Sequence, residues 1–428
     1  MIDYGFPVRG EKLDERAASI AEARVANEPR RLEYLDGLRG FAALTVVFYH
    51  TTLCFDRALA SGASLEAHFG WELLLANTPL MLLIRGSLPV MVFFCLSGYV
   101  LAGFVFRSRL GLLPQLLRRY IRFALPITAA CLLSYLLLKT LAVPPGLHEI
   151  TKSTWLAAVY QQNVGGREAL FEGVWGALLG LIPQDQSYDP VLWTMVIEFW
   201  GSILLFTVFA LVGAFLTEQR RRLALLFVFS LCALIGYSSY LGVFCFGAAL
   251  ALVRKQIPLR WQAAGSLLGL GLLFGTAPWS GQLWPGYDLP MVPLVGILPF
   301  PFPGLIDFYA GVGGCLILIA ATRWEGLQKV LSTSLAKFLG EISFPLYLVH
   351  LPLLVTVTSS MAVLLAANGA SYGVLLVSAY SIELIVSIGT ATAFLRLIER
   401  PTIRLSRIAG NLLQRALRWM IEAWMIKV

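Results

Sequence analysis

Charge is what this chain has least of. Asp, Glu, Lys and Arg make up 14% of its 428 residues, against about 25% in a soluble domain. With 58% hydrophobic residues and a mean hydropathy of +0.74, its apolar surface exceeds what a water-soluble core hides. Cysteine offers no framework either. Cys54, Cys95, Cys131, Cys232, Cys245 and Cys315 all lie in or beside apolar stretches, with no CxxC pair. That excludes a disulfide scaffold and a clustered metal site and leaves them as small hydrophobes. The first 30 residues hold no apolar stretch, so no cleavable signal peptide is expected and the first spanning helix is expected to direct insertion. Internal repeats and low-complexity tracts are also lacking.

The net charge is +8, but the basic residues recur between apolar runs instead of gathering in one patch, which argues against nucleic acid as a partner. The partner that composition implies is the lipid bilayer. The reading is an all-α polytopic membrane protein, a bundle of about ten transmembrane helices. The runs lie at about 38–55, 88–106, 121–143, 191–216, 222–236, 239–253, 262–278, 305–322, 342–366 and 371–395. Residues 1–31 read as a polar tail, 32–408 as the membrane domain and 409–428 as an amphipathic basic segment. The connections 56–87 and 144–190 are long, and 279–304 is rich in Pro, Trp and Gly without Lys or Arg.

Orientation follows from the basic residues. With both termini in the cytoplasm and ten spans, 28 of the 33 Lys and Arg fall inside; Arg57, Arg85, Lys139, Lys152 and Arg167 fall outside. The clusters Arg118/Arg119/Arg122, Arg220–Arg222, Arg254/Lys255 and Arg400/Arg404/Arg407 all land on the cytoplasmic face, as the positive-inside rule asks.

Against this background the ionisable residues inside the runs stand out. Arg39 and His50 lie eleven residues apart in GLRGFAALTVVFYHTTLCF, which on a helix means one shared face and a rise of roughly 16 Å. An imidazole held in a membrane must be compensated, and it works as a base near neutral pH. Glu198, in VLWTMVIEFWGS, falls at a depth similar to that of His50. It reads either as a carboxylate orienting the ring, as the acid does in hydrolytic triads, or as a structural ion pair or protonated acid. Arg119 and Arg122, three residues apart at the start of the third run, suit phosphate and equally suit a positive-inside anchor. Ser97 and Gly98 lie in FFCLSGYVL: Gly98 allows close helix approach, and Ser97 is placed to donate either to a ligand or to its own helix. Tyr347 and His350 lie one turn apart between Pro345 and Pro352, where freed backbone groups are expected to line a cavity. His68 and His148 lie in loops and read as solvated.

Together these segments resemble the acyltransferase 3 family of integral-membrane acyltransferases. YLDGLRGFAALTVVFYH is similar to the family's opening, whose hallmark is an arginine, ten residues and a histidine. FFCLSGYVL is similar to its second-helix segment, with Tyr99 where Phe is common. Arg119–Tyr120–Ile121–Arg122 resembles its RxxR motif. LWTMVIEFW resembles its LWTLxxEFxFY segment, with Met195 and Ile197 departing from the usual residues. ISFPLYLVHLPL and LIERPTIRL resemble its late signatures. The likeness runs from about Arg31 to Arg407 with the motifs in order, and the chain is expected to lack the fused extracellular domain of some members.

The resemblance implies an acyl donor, acetyl-CoA in most members, and transfer to a hydroxyl of a carbohydrate or other small acceptor. By motif match, His50 and Arg39 take the essential pair, with Glu198 as the expected orienting acid. Arg119, Arg122 and Ser97 are the expected donor-binding residues. Tyr347, His350 and Trp193 are expected at the acceptor. No metal and no permanently bound cofactor are expected. A transporter for a proton-coupled substrate or a lipid-linked sugar is the alternative, and the missing inverted repeat counts mildly against it.

Overall fold

The computed structural model describes residues 32–425, apart from 63, 77, 109, 156–164, 237–239, 254–257, 277–281, 285–286 and 289–304. The expected polar tail, the Arg254/Lys255 cluster and most of the Pro- and Trp-rich connection lie outside the described residues. Each of the ten apolar runs carries a helix. They are α1 (Glu33–Phe55), α2 (Ser87–Arg107), α3 (Leu112–Thr140), α4 (Trp193–Phe215), α5 (Glu218–Ile235), α6 (Tyr240–Leu252), α7 (Trp261–Gly275), α8 (Leu305–Arg323), α9 (Ser334–Leu353) and α10 (Tyr372–Phe394). A helix at Arg400–Met425, α11, follows. Among the described residues, six spans are long and apolar enough to cross a membrane by length and composition, and α6 and α7 are shorter apolar helices of 13 and 15 residues. The protein is a multi-pass, all-α membrane protein, with one short antiparallel pairing of Gln282–Trp284 and Tyr287–Asp288.

Several helices begin earlier than their apolar runs. α3 starts at Leu112, so Arg119 and Arg122 lie about two turns inside it rather than at its start. The added segment, LLPQLLRR, is amphipathic rather than continuously apolar. Its Pro114 sits in the first turn, where no backbone N–H is needed. α1 and α9 gain polar first turns in the same way.

Small residues set how closely the helices cross. A Cβ added at Gly98 of α2 would lie 1.9 Å from the Phe244 carbonyl oxygen, and one at Gly247 of α6 would lie 1.8 Å from that of Cys95. Gly98 therefore does what its place in the apolar run suggested. α1 and α9 use the same device: a Cβ on Gly40 would lie 2.4 Å from the Gly340 nitrogen, and one on Gly340 would lie 2.3 Å from the Asp36 carbonyl oxygen.

Pro345 and Pro352 are both accommodated within α9. The irregularity comes after them, as a π-helical turn at Leu354–Thr358 before the helix resumes at Ser359–Ala367. There the Ser359 and Thr356 hydroxyls return to the carbonyls of Leu354 and Pro352, at 2.8 and 2.6 Å. Polar side chains thus satisfy backbone groups that a regular helix would pair.

The long connections carry buried polar groups of their own. Asp56 caps Arg57–Ser61, accepting from the Leu59 N–H at 3.2 Å, and burial raises its pKa to about 6. Glu172 accepts from the Tyr188 N–H at 2.9 Å and from the Ser187 hydroxyl. Burial raises its pKa, and burial together with the Glu172 charge raises that of Asp189 well above the usual carboxylate range. Arg85, itself buried, donates to the Ala60 carbonyl at 2.8 Å and to that of Ala76. His148 is exposed, as expected, with its ring 2.9 Å from the Ser153 carbonyl; His68 is instead half-buried, stacked on Tyr372 with ring centroids 3.6 Å apart.

Candidate active site

His50 and His350 meet inside the bundle. His50 Nδ1 lies 2.9 Å from His350 Nε2. On the other side of its ring, His350 Nδ1 lies 2.9 Å from the Tyr347 carbonyl and 3.1 Å from that of Leu346. A carbonyl oxygen only accepts, so His350 carries its hydrogen on Nδ1. A neutral ring then has its lone pair on Nε2, and the hydrogen between the two rings belongs to His50 Nδ1. His50 is left with an unprotonated Nε2, the tautomer a general base needs. The pair is asymmetric in exposure: His350 is fully buried, whereas His50 retains accessible surface.

The level of this pair follows from the glycine crossing. Gly40 and Gly340 are each ten residues before their histidine. Ten residues advance a helix by about 15 Å on either side, so two helices that touch at the glycines bring the two rings to one level.

Glu198 does not fill the orienting position expected of it. Its carboxylate accepts from Arg119 Nη2 at 2.9 Å, while Arg119 Nε donates to the Ser202 hydroxyl at 2.7 Å. The Ser97 hydroxyl hydrogen-bonds the same carboxylate, and the Arg119 guanidinium sits 4.1 Å over the Phe123 ring. The reason is electrostatic: a buried carboxylate gains more from a guanidinium with hydrogen bonds than from a neutral imidazole. Ser97, expected at the donor, is thereby tied to the Arg119–Glu198 pair. Arg122, by contrast, is exposed, and Arg39 lies near enough to both arginines to act on their charge. Arg39 itself makes a 3.5 Å ion pair with Asp36 and is 26% exposed. Three arginines thus share one region with three carboxylates, Glu198 on Arg119, Asp36 on Arg39 and Glu399 near Arg122, and of the three Arg119 is the most buried while Arg39 and Arg122 keep accessible surface.

The residues expected at the acceptor divide. Tyr347 is buried, and its hydroxyl donates to the Val191 carbonyl at 2.8 Å and lies 2.9 Å from the Thr194 hydroxyl. This ties α9 to the entry of α4. Trp193 packs instead in a triangle of aromatic rings, 5.1 Å from Tyr240 and 6.3 Å from Phe94 between centroids, with Phe94 and Tyr240 5.6 Å apart. A residue not singled out from the sequence joins the site instead. The Trp155 indole stacks on His50 at 5.7 Å between centroids with 28° between the planes. It comes from the long connection 144–190, outside the apolar runs, so only contact reveals it.

An imidazole with a fixed tautomer and a fully buried partner ring suits group transfer. Comparison with known proteins gives the class of group. Residues 32–394 match a family described as an acyltransferase domain. The O-acetyltransferase PaAT-1 of Phomopsis amygdali is 26% identical, over 76% of this chain and 72% of that protein. The acyltransferase clz18 of Cochliobolus lunatus is 23% identical, over 88% of this chain and 95% of that protein. No solved structure matches the chain. With its family match running from the first turn of α1 to the end of α10, the chain belongs to the acyltransferase 3 family and is an acyltransferase.

Proposed function

We propose that the protein transfers an acetyl group from acetyl-CoA to a hydroxyl of a carbohydrate or another small acceptor, with His50 as general base. The observation that carries this reading is the His50–His350 contact, because it fixes a hydrogen on His50 Nδ1 and leaves Nε2 free. In the transfer, Nε2 takes the proton of the acceptor hydroxyl as its oxygen attacks the thioester carbonyl. The new C–O bond forms, the C–S bond breaks, and His50 passes the proton to the departing sulfur. While His50 is an imidazolium, its Nδ1–H points at the lone pair of His350, which holds the ring in place and stabilises the charge. His350 is thus a positioning residue rather than an acceptor-binding one.

Arg122 and Arg39 take the phosphates of the donor, with Arg119 fixed alongside by Glu198. Forked guanidinium groups suit phosphate oxygens, and on the orientation given by the basic residues they face the compartment where acyl-CoA is made. The printed name of PaAT-1 supports an oxygen acceptor. The test is release of CoA thiol from acetyl-CoA by purified protein in lipid nanodiscs, with and without candidate acceptors. His50→Ala is expected to lower turnover by about 10³-fold, the scale of general-base catalysis, with acetyl-CoA binding retained. Undiminished turnover in His50→Ala would remove the base assignment. Acetylated metabolites missing from a deletion strain identify the acceptor.

A further inference from the structure

The segment that brings Trp155 to His50 is tightly held. Ser153 Oγ donates to the Leu53 carbonyl at 2.6 Å, on α1 itself and three residues past His50. Thr154 Oγ1 donates to Glu66 at 2.9 Å, and Arg57 Nη1 donates to the same Glu66 oxygen at 2.7 Å. Lys152 Nζ donates to the Ala67 carbonyl at 2.9 Å. Lys152 also has φ +55°, a left-handed turn that is unfavourable for a non-glycine residue. That turn sends residues 153–155 back against α1. Three separate stretches of chain thus fix where the indole lies.

A general base does not by itself distinguish an acceptor hydroxyl from water. If water takes the acceptor's place, the same bonds form and break, and acetyl-CoA is lost as acetate and free CoA thiol. An active site of this kind therefore has to keep water from the base. We propose that Trp155 is a specificity-determining residue: its indole covers the face of His50 turned toward residues 153–155, and an acceptor reaches Nε2 by packing against it. This rests on the acetyl-CoA reading above. The acceptor class it favours is a hydroxyl borne on a ring with an apolar face, since indole stacks on such faces and gives little to an extended polyol.

Two measurements on the full chain in nanodiscs test it. The first is ethoxyformylation of histidine by diethyl pyrocarbonate, followed by peptide mass spectrometry; the chain has 4 histidines, so each is read separately. Trp155→Ala is expected to raise the labelling rate of His50 about tenfold and Trp155→Phe to leave it within about twofold of wild type, as expected for removing and for keeping an aromatic cover. Fully buried His350 stays unlabelled in a folded variant and so controls for unfolding. The second is thiol release from acetyl-CoA without acceptor, expected to rise about tenfold in Trp155→Ala and to vanish when His50→Ala is added. Equal His50 labelling in wild type and Trp155→Ala overturns the proposal, as does unchanged thiol release from protein that binds acetyl-CoA. Wild-type protein that binds no acetyl-CoA overturns the donor reading separately, and the labelling ratio then decides the shield alone.

Discussion

His350 Nε2 accepts the hydrogen that His50 carries on Nδ1, 2.9 Å away, and the hydrogen on His350 Nδ1 points at the backbone carbonyls of α9. The chain of bonds runs one way, from His50 to His350 to the Tyr347 carbonyl. Removing its middle member frees the His50 ring to turn without touching the donor site. His350→Ala is predicted to lower kcat by about 10²-fold with little change in the KM for acetyl-CoA. His350→Gln, whose amide oxygen is an acceptor, is predicted to recover part of that loss. A variant in which KM rises and kcat holds would assign His350 to substrate instead.

Arg122 makes the opposite prediction. It is exposed, and its charge is close to those of Glu399, Arg39 and Arg119. Arg122→Ala is predicted to raise the KM for acetyl-CoA about tenfold, equivalent to about 1.4 kcal/mol, with kcat less affected. The difference from wild type narrows as salt rises, because the contact is screened. Titration calorimetry at two salt concentrations reads both effects.

Arg119 is a stability residue as well. Its partner Glu198 is buried, with a side chain only 8% exposed. Arg119→Ala strands that carboxylate and is predicted to cost about 3–5 kcal/mol. Glu198→Gln in the same chain is predicted to restore much of the loss, since the neutral amide needs no cation. Thermal inactivation in detergent, run on both single variants and the double, measures the coupling.

Stability is predicted to fall as pH rises from about 4, the unfolded carboxylate range, toward the folded pKa of Asp56, about 6. Asp56, Glu172 and Asp189 hold their protons more tightly in the fold than in the unfolded chain, all by burial first. Between the unfolded and folded pKa values the native state therefore binds more protons, and the slope of stability against pH is negative. For Asp56 the window closes near its folded value of about 6. Asp56→Asn is predicted to flatten that part of the profile, with Tm against pH as the measurement.

The helices were readable because apolar length is a direct signal, and where a boundary moved, as at Leu112, the missing turns were amphipathic. The site was readable only as a set of depths. Sequence put His50 and Glu198 at one level, whereas Glu198 lies with Arg119 and within charge reach of Arg39, toward the other end of the Arg39–His50 spacing. His350 at the end of PLYLVH is closer to His50, and Arg119 competes for Glu198. His350 stands out in the sequence as polar and intramembrane, while its role rests on a distance. Trp155 had no signal at all, because it reaches His50 through a connection held by Glu66, Arg57 and the Leu53 carbonyl.

The glycine crossing of α1 and α9 also acts as a fulcrum. Each histidine is at the end of an arm of about 15 Å measured from the point where Gly40 and Gly340 touch. A relative tilt of about 5° moves the ends of such arms apart by about 1.3 Å. That is enough to break a 2.9 Å contact while the crossing itself stays closed. The base is therefore mechanically coupled to the angle between two helices, and anything that spreads their outer ends weakens the catalyst without touching either imidazole.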